Sequence, residues 1–306
     1  MSRPALSIQR GLTLIELMIS MTLGLIVIGG VLGIFVASSE TQRRTEELSR
    51  IQENARVALQ LMGRSMREAG GNPCGIPSGA GLILHMAAEA PTANWWSGGN
   101  DFTSAFVGYA GGNGFTANGT MPMTAGSDAV ITVSANASVK TVISDAPPAG
   151  EMIVPTKEGL ATDDILFACN PNAGRGVVFK AGTVAESGTN WSVSRTTPFT
   201  GAVAGMRVTA LGRINAEGWF VGDNGRGGTS LFRAFNGGVE EIAPDVSAMQ
   251  ITYLLPGANS YVAADKIGAA QWAGVIAAYI ELTITSNTAN PPIARTVGLT
   301  INLRNR

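Results

Sequence analysis

The chain has 306 residues, of which 45% are hydrophobic and 14% charged. That length holds one large domain or two small ones around a real core. With 21 basic against 22 acidic side chains the net charge is -1, so no general electrostatic attraction to nucleic acid follows.

From Leu12 to Ala37 the chain is apolar except at Thr13, Glu16, Ser20 and Thr22. The run exceeds the roughly 20 residues that cross a bilayer core, so a membrane span is expected. Arg3 and Arg10 precede it, and the positive-inside preference puts them in the cytoplasm and everything after Ala37 outside. An ordinary secretory signal would end in a small-residue cleavage site, but Ala37-Ser38-Ser39 leads straight into helix-forming sequence. Glu16 is the only ionisable residue between Arg10 and Glu40. A carboxylate in hydrocarbon costs on the order of 3 kcal/mol, so it either meets a partner or sits protonated near the interface. Gly24, Gly29, Gly30 and Gly33 point first to close helix packing in the membrane and second to local unwinding.

Beyond the span, Leu48, Ile51, Ala55, Ala58, Met62 and Met66 recur at three and four residues, the spacing of one helix face. Glu46 with Arg50 and Glu53 with Arg56 are the expected pairs on the polar side. Gly70-Gly71 before Pro73 is a stop signal. One helix from Leu12 to about Ala69 is expected, about 85 Å long. On the plainest reading it is a signal anchor followed by a stalk.

After Gly71 the composition turns to Gly, Ser, Thr, Ala and Asn with short apolar alternations, which predicts β structure with long loops. Strands are expected at Val130 to Val133, Asp164 to Ala168, Gly176 to Lys180, Met206 to Leu211 and Gly218 to Val221. Further strands are expected at Ser230 to Ala234, Met249 to Leu255, Val275 to Thr285 and Thr296 to Leu303. Residues 75 to 128, including "NWWSGGND" and "GYAGGNGFTANG", read as surface loops. Cys74 and Cys169 fall on the side assigned to the oxidising compartment, where an even count suggests a disulfide; two free buried thiols are the alternative.

A search for catalytic chemistry finds no constellation, and no enzyme, cofactor or metal is expected. His85 is the sole histidine and reads as a loop residue. Asp163-Asp164 and Glu240-Glu241 are adjacent, and neighbours on a strand point to opposite faces. Asp223-Asn224-Gly225 has calcium-loop residue types but lacks the rest of an EF-hand pattern, so a turn is expected. The glycines of "GDNGRGG" lack the strand-to-helix context of a phosphate loop. Trp95, Trp96, Trp191, Trp219 and Trp272 could serve a binding surface, but core or loop packing is the favoured reading.

Arg10-Gly11-Leu12-Thr13-Leu14-Ile15-Glu16 resembles the processing site of type IV prepilins. The resemblance implies cleavage after Gly11, N-methylation of Leu12 and a glutamate at the fifth mature position, which Glu16 occupies. Leu12 departs from the Phe usual in major pilins. Cleavage would give Leu12 an ammonium group, and a neighbouring subunit's Glu16 could pair with it in an apolar filament core and set register. "RIQENARVALQLMGRSMREAG" with Cys74 resembles the helix end of PilW-type minor pilins. "DDILFACN", "GWFVGDN", "TSLFRAF", "VEEIAPDVSAMQITYLL", "QWAGVIAAYIELTI" and "LRNR" resemble that family's later segments in the same order. The fold implied is α+β and type IV pilin-like. Residues 1–11 form a prepilin leader, 12–70 a long helix whose first part to 37 is transmembrane, and 71–306 a β-rich periplasmic globular domain. The function implied is a non-enzymatic minor pilin that helps initiate pilus assembly. It would work with other minor pilins and the major pilin and need no cofactor; its processing enzyme would be a prepilin peptidase, its location the inner membrane and then the pilus tip, and a large tip adhesin a further partner. The alternative is a J-class pseudopilin of type II secretion, against which the domain size and "LRNR" argue. A membrane-tethered hydrolase would need the missing catalytic constellation.

The chain is expected to be cut between Gly11 and Leu12. Mass spectrometry of the mature amino terminus checks this, and an intact Met1 or a terminus near Ser38 would contradict it.

Overall fold

The computed structural model describes residues 13–76, 83–86, 105–113, 115, 123–147, 149–235, 238–286 and 291–303. The expected leader, Gly11, Leu12, Trp95 and Trp96 lie outside the described residues. The fold is α+β and pilin-like: a long N-terminal helix followed by a β-rich domain.

Helix α1 runs Leu14–Glu68, 55 residues or about 80 Å. Almost every residue from 14 to 46 is exposed. From Ile51 onward one face is buried, and Ala58, Met62 and Met66 are wholly inaccessible. This is the face that the three-and-four spacing selects, with Leu48 half-buried at its start. The polar side differs from expectation. Arg50 pairs with Glu47 at 3.5 Å, while Glu46 accepts from Gln42 at 3.1 Å. Glu47 is held beneath the domain by Ser286 Oγ, which donates to its Oε2 at 2.7 Å. The helix stops where Gly70 takes a φ of 75°, a left-handed conformation that costs a glycine little. The Gly70 N–H donates to Val133 O at 2.8 Å and the Ala135 N–H to Gly71 O at 2.7 Å, stitching the helix end to the sheet.

The strands are β1 (Ile83–Met86), β2 (Phe106–Tyr109), β3 (Ala129–Thr141), β4 (Ser144–Asp145), β5 (Met152–Val154), β6 (Ile165–Asn170), β7 (Arg175–Ser187) and β8 (Asn190–Arg195). They continue as β9 (Ala210–Asp223), β10 (Thr229–Phe235), β11 (Gly238–Pro244), β12 (Val246–Leu254), β13 (Val262–Ala263), β14 (Ala277–Ser286) and β15 (Ile293–Asn302). One sheet of 11 strands follows the path β11-β10-β9-β6-β7-β8-β5-β4, with β3 on the other edge of β9, β2 on β3 and β1 parallel to β7. The second sheet is antiparallel, β13-β12-β14-β15. The buried face of α1 packs with Met249, Ile251, Tyr253, Ile280, Leu282 and Ile301 of the second sheet in the largest core cluster.

Polar groups join these layers. Ser65 Oγ on α1 lies 2.6 Å from Thr132 Oγ1 of β3 and accepts from Trp219 Nε1 of β9 at 3.1 Å. The buried Asp128 carboxylate accepts from the Gly111 N–H at 2.8 Å and from the Ile251 N–H of β12 at 2.7 Å, clamping one sheet to the other. In the first sheet, Arg195 forms a buried ion pair with Asp145. Cys74 and Cys169 are disulfide-bonded with a Cα separation of 6.2 Å, so the chain just past the helix is fastened to β6.

Two strand expectations are corrected. Of Met206 to Leu211 only the last two residues are in β9. Despite their alternation, the Val208 N–H donates to Asp145 Oδ2 at 2.7 Å, a side chain taking the place of a neighbouring strand. Within the supposed loops of 75 to 128, Ile83–Met86, with the supposed loop residue His85, is a strand, and so is Phe106–Tyr109, with Phe106 wholly buried. Its four residues are too short to show a period beside the glycines that follow.

Removing both cysteines should cost roughly 4 to 5 kcal/mol in the chain-entropy description of a loop this long. Thermal unfolding of the disulfide-free double alanine variant measures it, and non-reducing peptide mapping tests the bond itself. Asp128→Ala strips the buried Ile251 amide and the half-buried Gly111 amide of their acceptor and should destabilise by about 2 to 4 kcal/mol. Denaturant titration of that variant provides the check.

Candidate functional site

The exposed half of α1 is where the chain's chemistry is unusual. It is the one helix, among the described residues, long and apolar enough to cross a membrane. Leu14, Leu25, Ile26, Ile34 and Phe35 are 69 to 78% exposed, a contiguous apolar surface that a protein in water does not leave open. The hydroxyls inside the span are satisfied by the helix itself. Ser20 Oγ donates to Glu16 O at 2.7 Å and Thr22 Oγ1 to Ile19 O at 2.9 Å, as hydroxyls in an apolar medium must find acceptors.

Glu16 lies in the first turn of α1, on the exposed surface. Thr13 is the N-cap, and its Oγ1 accepts from the Glu16 N–H at 3.3 Å. Glu16 thus stands at the third helical position after the cap, where a carboxylate is favourable beside the positive end of the helix dipole. This cap escaped the sequence reading, although Thr13-Leu14-Ile15-Glu16 has the Thr-x-x-Glu pattern that signals it. A Cβ added to Gly24, Gly29, Gly30 or Gly33 would meet nothing within 4 Å. Nothing in the single chain requires those four glycines.

The other candidates are structural. Asp163 pairs with Lys180 at 2.6 Å and Asp164 Oδ2 accepts from the Ala161 N–H at 2.7 Å. Glu240 accepts from Arg233 Nε at 2.6 Å. Glu241 accepts from Ser230 Oγ at 2.7 Å, and the Arg226 guanidinium holds its carboxyl below the usual carboxylate range. Asp223-Asn224-Gly225 is a turn joining β9 to β10, in which Asp223 Oδ1 accepts from the Gly225 N–H at 2.7 Å and Asn224 Oδ1 from the Arg226 N–H at 2.9 Å. His85 falls in β1, aligned with Val177 of β7. Trp219 and Trp272 are core residues, and Trp191 is half-buried beneath Lys157, 5.1 Å from its ring centre. No group of three or more His, Cys, Asp or Glu among the described residues is placed to hold a metal ion.

A polar cleft of about 410 Å³ lies where α1 meets β3 and β9, lined by residues that include Arg64, Glu68, Asn136, Asn215, Glu217 and Arg233. Its charges are already matched, Arg64 to Glu68 at 2.8 Å and Arg233 to Glu217 at 3.3 Å.

Comparison with known proteins bears on the same segment. No curated protein and no solved structure matches the chain. The family model for the prokaryotic N-terminal methylation motif matches residues 6–32, which takes in Glu16 and the first turns of α1, and it supports a type IV pilin-like protein, either pilin or pseudopilin, anchored by a single apolar helix.

Proposed function

We propose that this chain is a minor pilin of the PilW type, which helps initiate a type IV pilus in a priming complex with other minor pilins. The observation that carries the reading is Glu16, the only ionisable residue between Arg10 and Glu40, exposed on the apolar part of a helix whose start matches the methylation motif. A side chain of this kind is stable in a bilayer or filament core only with a partner. Cleavage after Gly11 by a prepilin peptidase supplies one, the Leu12 ammonium of a neighbouring subunit. Residues 1–11 are then the leader, 12–37 the span and filament core, and 71–306 a periplasmic domain carried toward the pilus tip. The major pilin and a large tip adhesin are the further partners. The role is structural and non-enzymatic: the span buries in its neighbours, and the domain presents surfaces to them. The four glycines that the single chain does not require fit close helix packing in that core.

Glu16→Val should insert into the membrane at least as well as the parent, since the span becomes more apolar. Assembly should fail, because the Leu12 ammonium of the adjacent subunit loses its counter-charge, a penalty of about several kcal/mol. Glu16→Gln should be less defective. The measurement is crosslinking to other pilins, with pilus number, in cells where the variant is inserted and processed. Parental assembly of Glu16→Val would defeat the reading.

A further inference from the structure

The second sheet ends in β15, whose outer edge pairs with no other strand among the described residues. Strand β15 pairs with β14 over ten residues without a register shift, whereas β12 with β14 and β3 with β9 are interrupted by bulges. The direction of its backbone groups follows from its neighbours. The Thr285 N–H donates to Asp245 O, toward β12. The N–H groups of Met249 and Ile251 turn away from β14, to Ser127 Oγ and Asp128 Oδ2. In an antiparallel ladder the bonding side alternates residue by residue. Odd-numbered residues of β14 therefore bond β12, and even-numbered ones bond β15, pairing Ile280 with Leu299, Leu282 with Val297 and Ile284 with Arg295. The Leu303 N–H, donating to Ile276 O, keeps the same phase.

Ala294, Thr296, Gly298, Thr300 and Asn302 consequently turn both N–H and C=O outward, and all five are exposed. The helix does not cover this edge, because it packs on the face. A Cβ on Gly63 of α1 would come within 3.3 Å of Leu299 Cδ2, on the inward-facing set of side chains. The protections that proteins usually give an edge, such as proline, a bulge or a row of charges, are missing between Ile293 and Asn302, where Arg295 is the only charge.

We propose that the outer edge of β15 is a docking site for an extended strand of a different protein chain, one carrying acidic residues, which adds to the second sheet as a fifth strand. Backbone pairing of this kind supplies affinity through the ladder and specificity through alternate side chains. Charge selects the partner. From Ile293 to the last residue the sequence holds Arg295, Arg304 and Arg306 and no acid.

A second copy of this chain does not fit. β15 runs in the same sense as α1, since its Ile293 end aligns with Ser286, which contacts Glu47, and Leu299 lies at Gly63. Antiparallel pairing of two β15 strands would turn the two helices in opposite directions. Parallel pairing in register would set Arg295 beside Arg295, and like charges directly opposed are unfavourable. Strand β11, another edge of this chain, ends in Pro244 and has Glu240 and Glu241 engaged by Arg233 and Arg226.

The inference rests on the assembly reading only for where the partner is met. A photocrosslinking amino acid replaces Thr296 or Thr300 in the full chain, in cells that make the assembly, and adducts are mapped by mass spectrometry. The expected product joins either position to an Asp- or Glu-bearing segment of a different chain. Thr296→Pro removes one outward N–H without touching the β14 ladder. With the crosslinker at Thr300, it should lower adduct yield about tenfold, while Thr296→Val leaves the yield unchanged. Adducts to a second copy, to another part of the same chain, or to no protein overturn the proposal, as does full yield from Thr296→Pro. The amino terminus is sequenced in the same samples. An uncut Gly11-Leu12 bond counts against the pilin reading and not against the edge, whereas cut protein without the expected adduct counts against the edge alone.

Discussion

The packing of the distal half of α1 against the four-stranded sheet holds the rest of the molecule in place. One continuous helix meets two environments, and only its last five turns or so have a protein surface to bury in. Ala55, Ala58, Met62 and Met66 lie against Ile280, Leu282 and Ile301 in a single cluster. Truncating a buried methionine of this sort costs about 2 to 5 kcal/mol, so the cluster is the main tie between an exposed apolar rod and its domain. Gly63 lets the helix approach Leu299 closely, and the half-buried Glu47 ends the contact at its lower margin.

Burial alone is not directional, and a helix lying on a flat sheet could slide along its axis or rotate. The chain from Trp219 through Ser65 to Thr132 prevents this, because a shift of α1 would leave polar atoms unpaired in a dry interior. Asp128 does the same between the two sheets, with each carboxylate oxygen committed to one backbone amide. The hydrophobic cluster provides adhesion, and these few polar contacts fix the register.

The helix was legible because its apolar face repeats for five turns before a glycine stop, and long periodic signals survive local noise. Strands with a regular inside and outside, such as β14 with its alternating burial, were legible for the same reason. Phe106–Tyr109 was not, since four residues beside glycines carry too little pattern. Met206 to Thr209 misled in the other direction: its alternation is real, but its partner is a carboxylate, and no local pattern announces a contact with Asp145. Glu16 stood out as a lone charge in an apolar run. Thr13 did not, because a cap is recognised from where a helix begins, and the expected start at Leu12 lies two residues before the observed one at Leu14. The edge position of β15 was invisible, because pairing partners are set by topology.

The disulfide also determines how mechanical load enters the domain. A pull along α1 leaves the helix at Glu68 and reaches Cys74 within a few residues. There the covalent path divides, and one branch crosses directly to Cys169 in the middle of the larger sheet, between β7 and β9. The other branch is the chain between the two cysteines, which stand 95 positions apart in sequence, and it includes β1, β2, β3, β4 and β5. With the crosslink closed, the bond to Cys169 is the shorter covalent route, so tension carried along the chain reaches β6, a strand hydrogen-bonded on both sides, without first traversing the longer one.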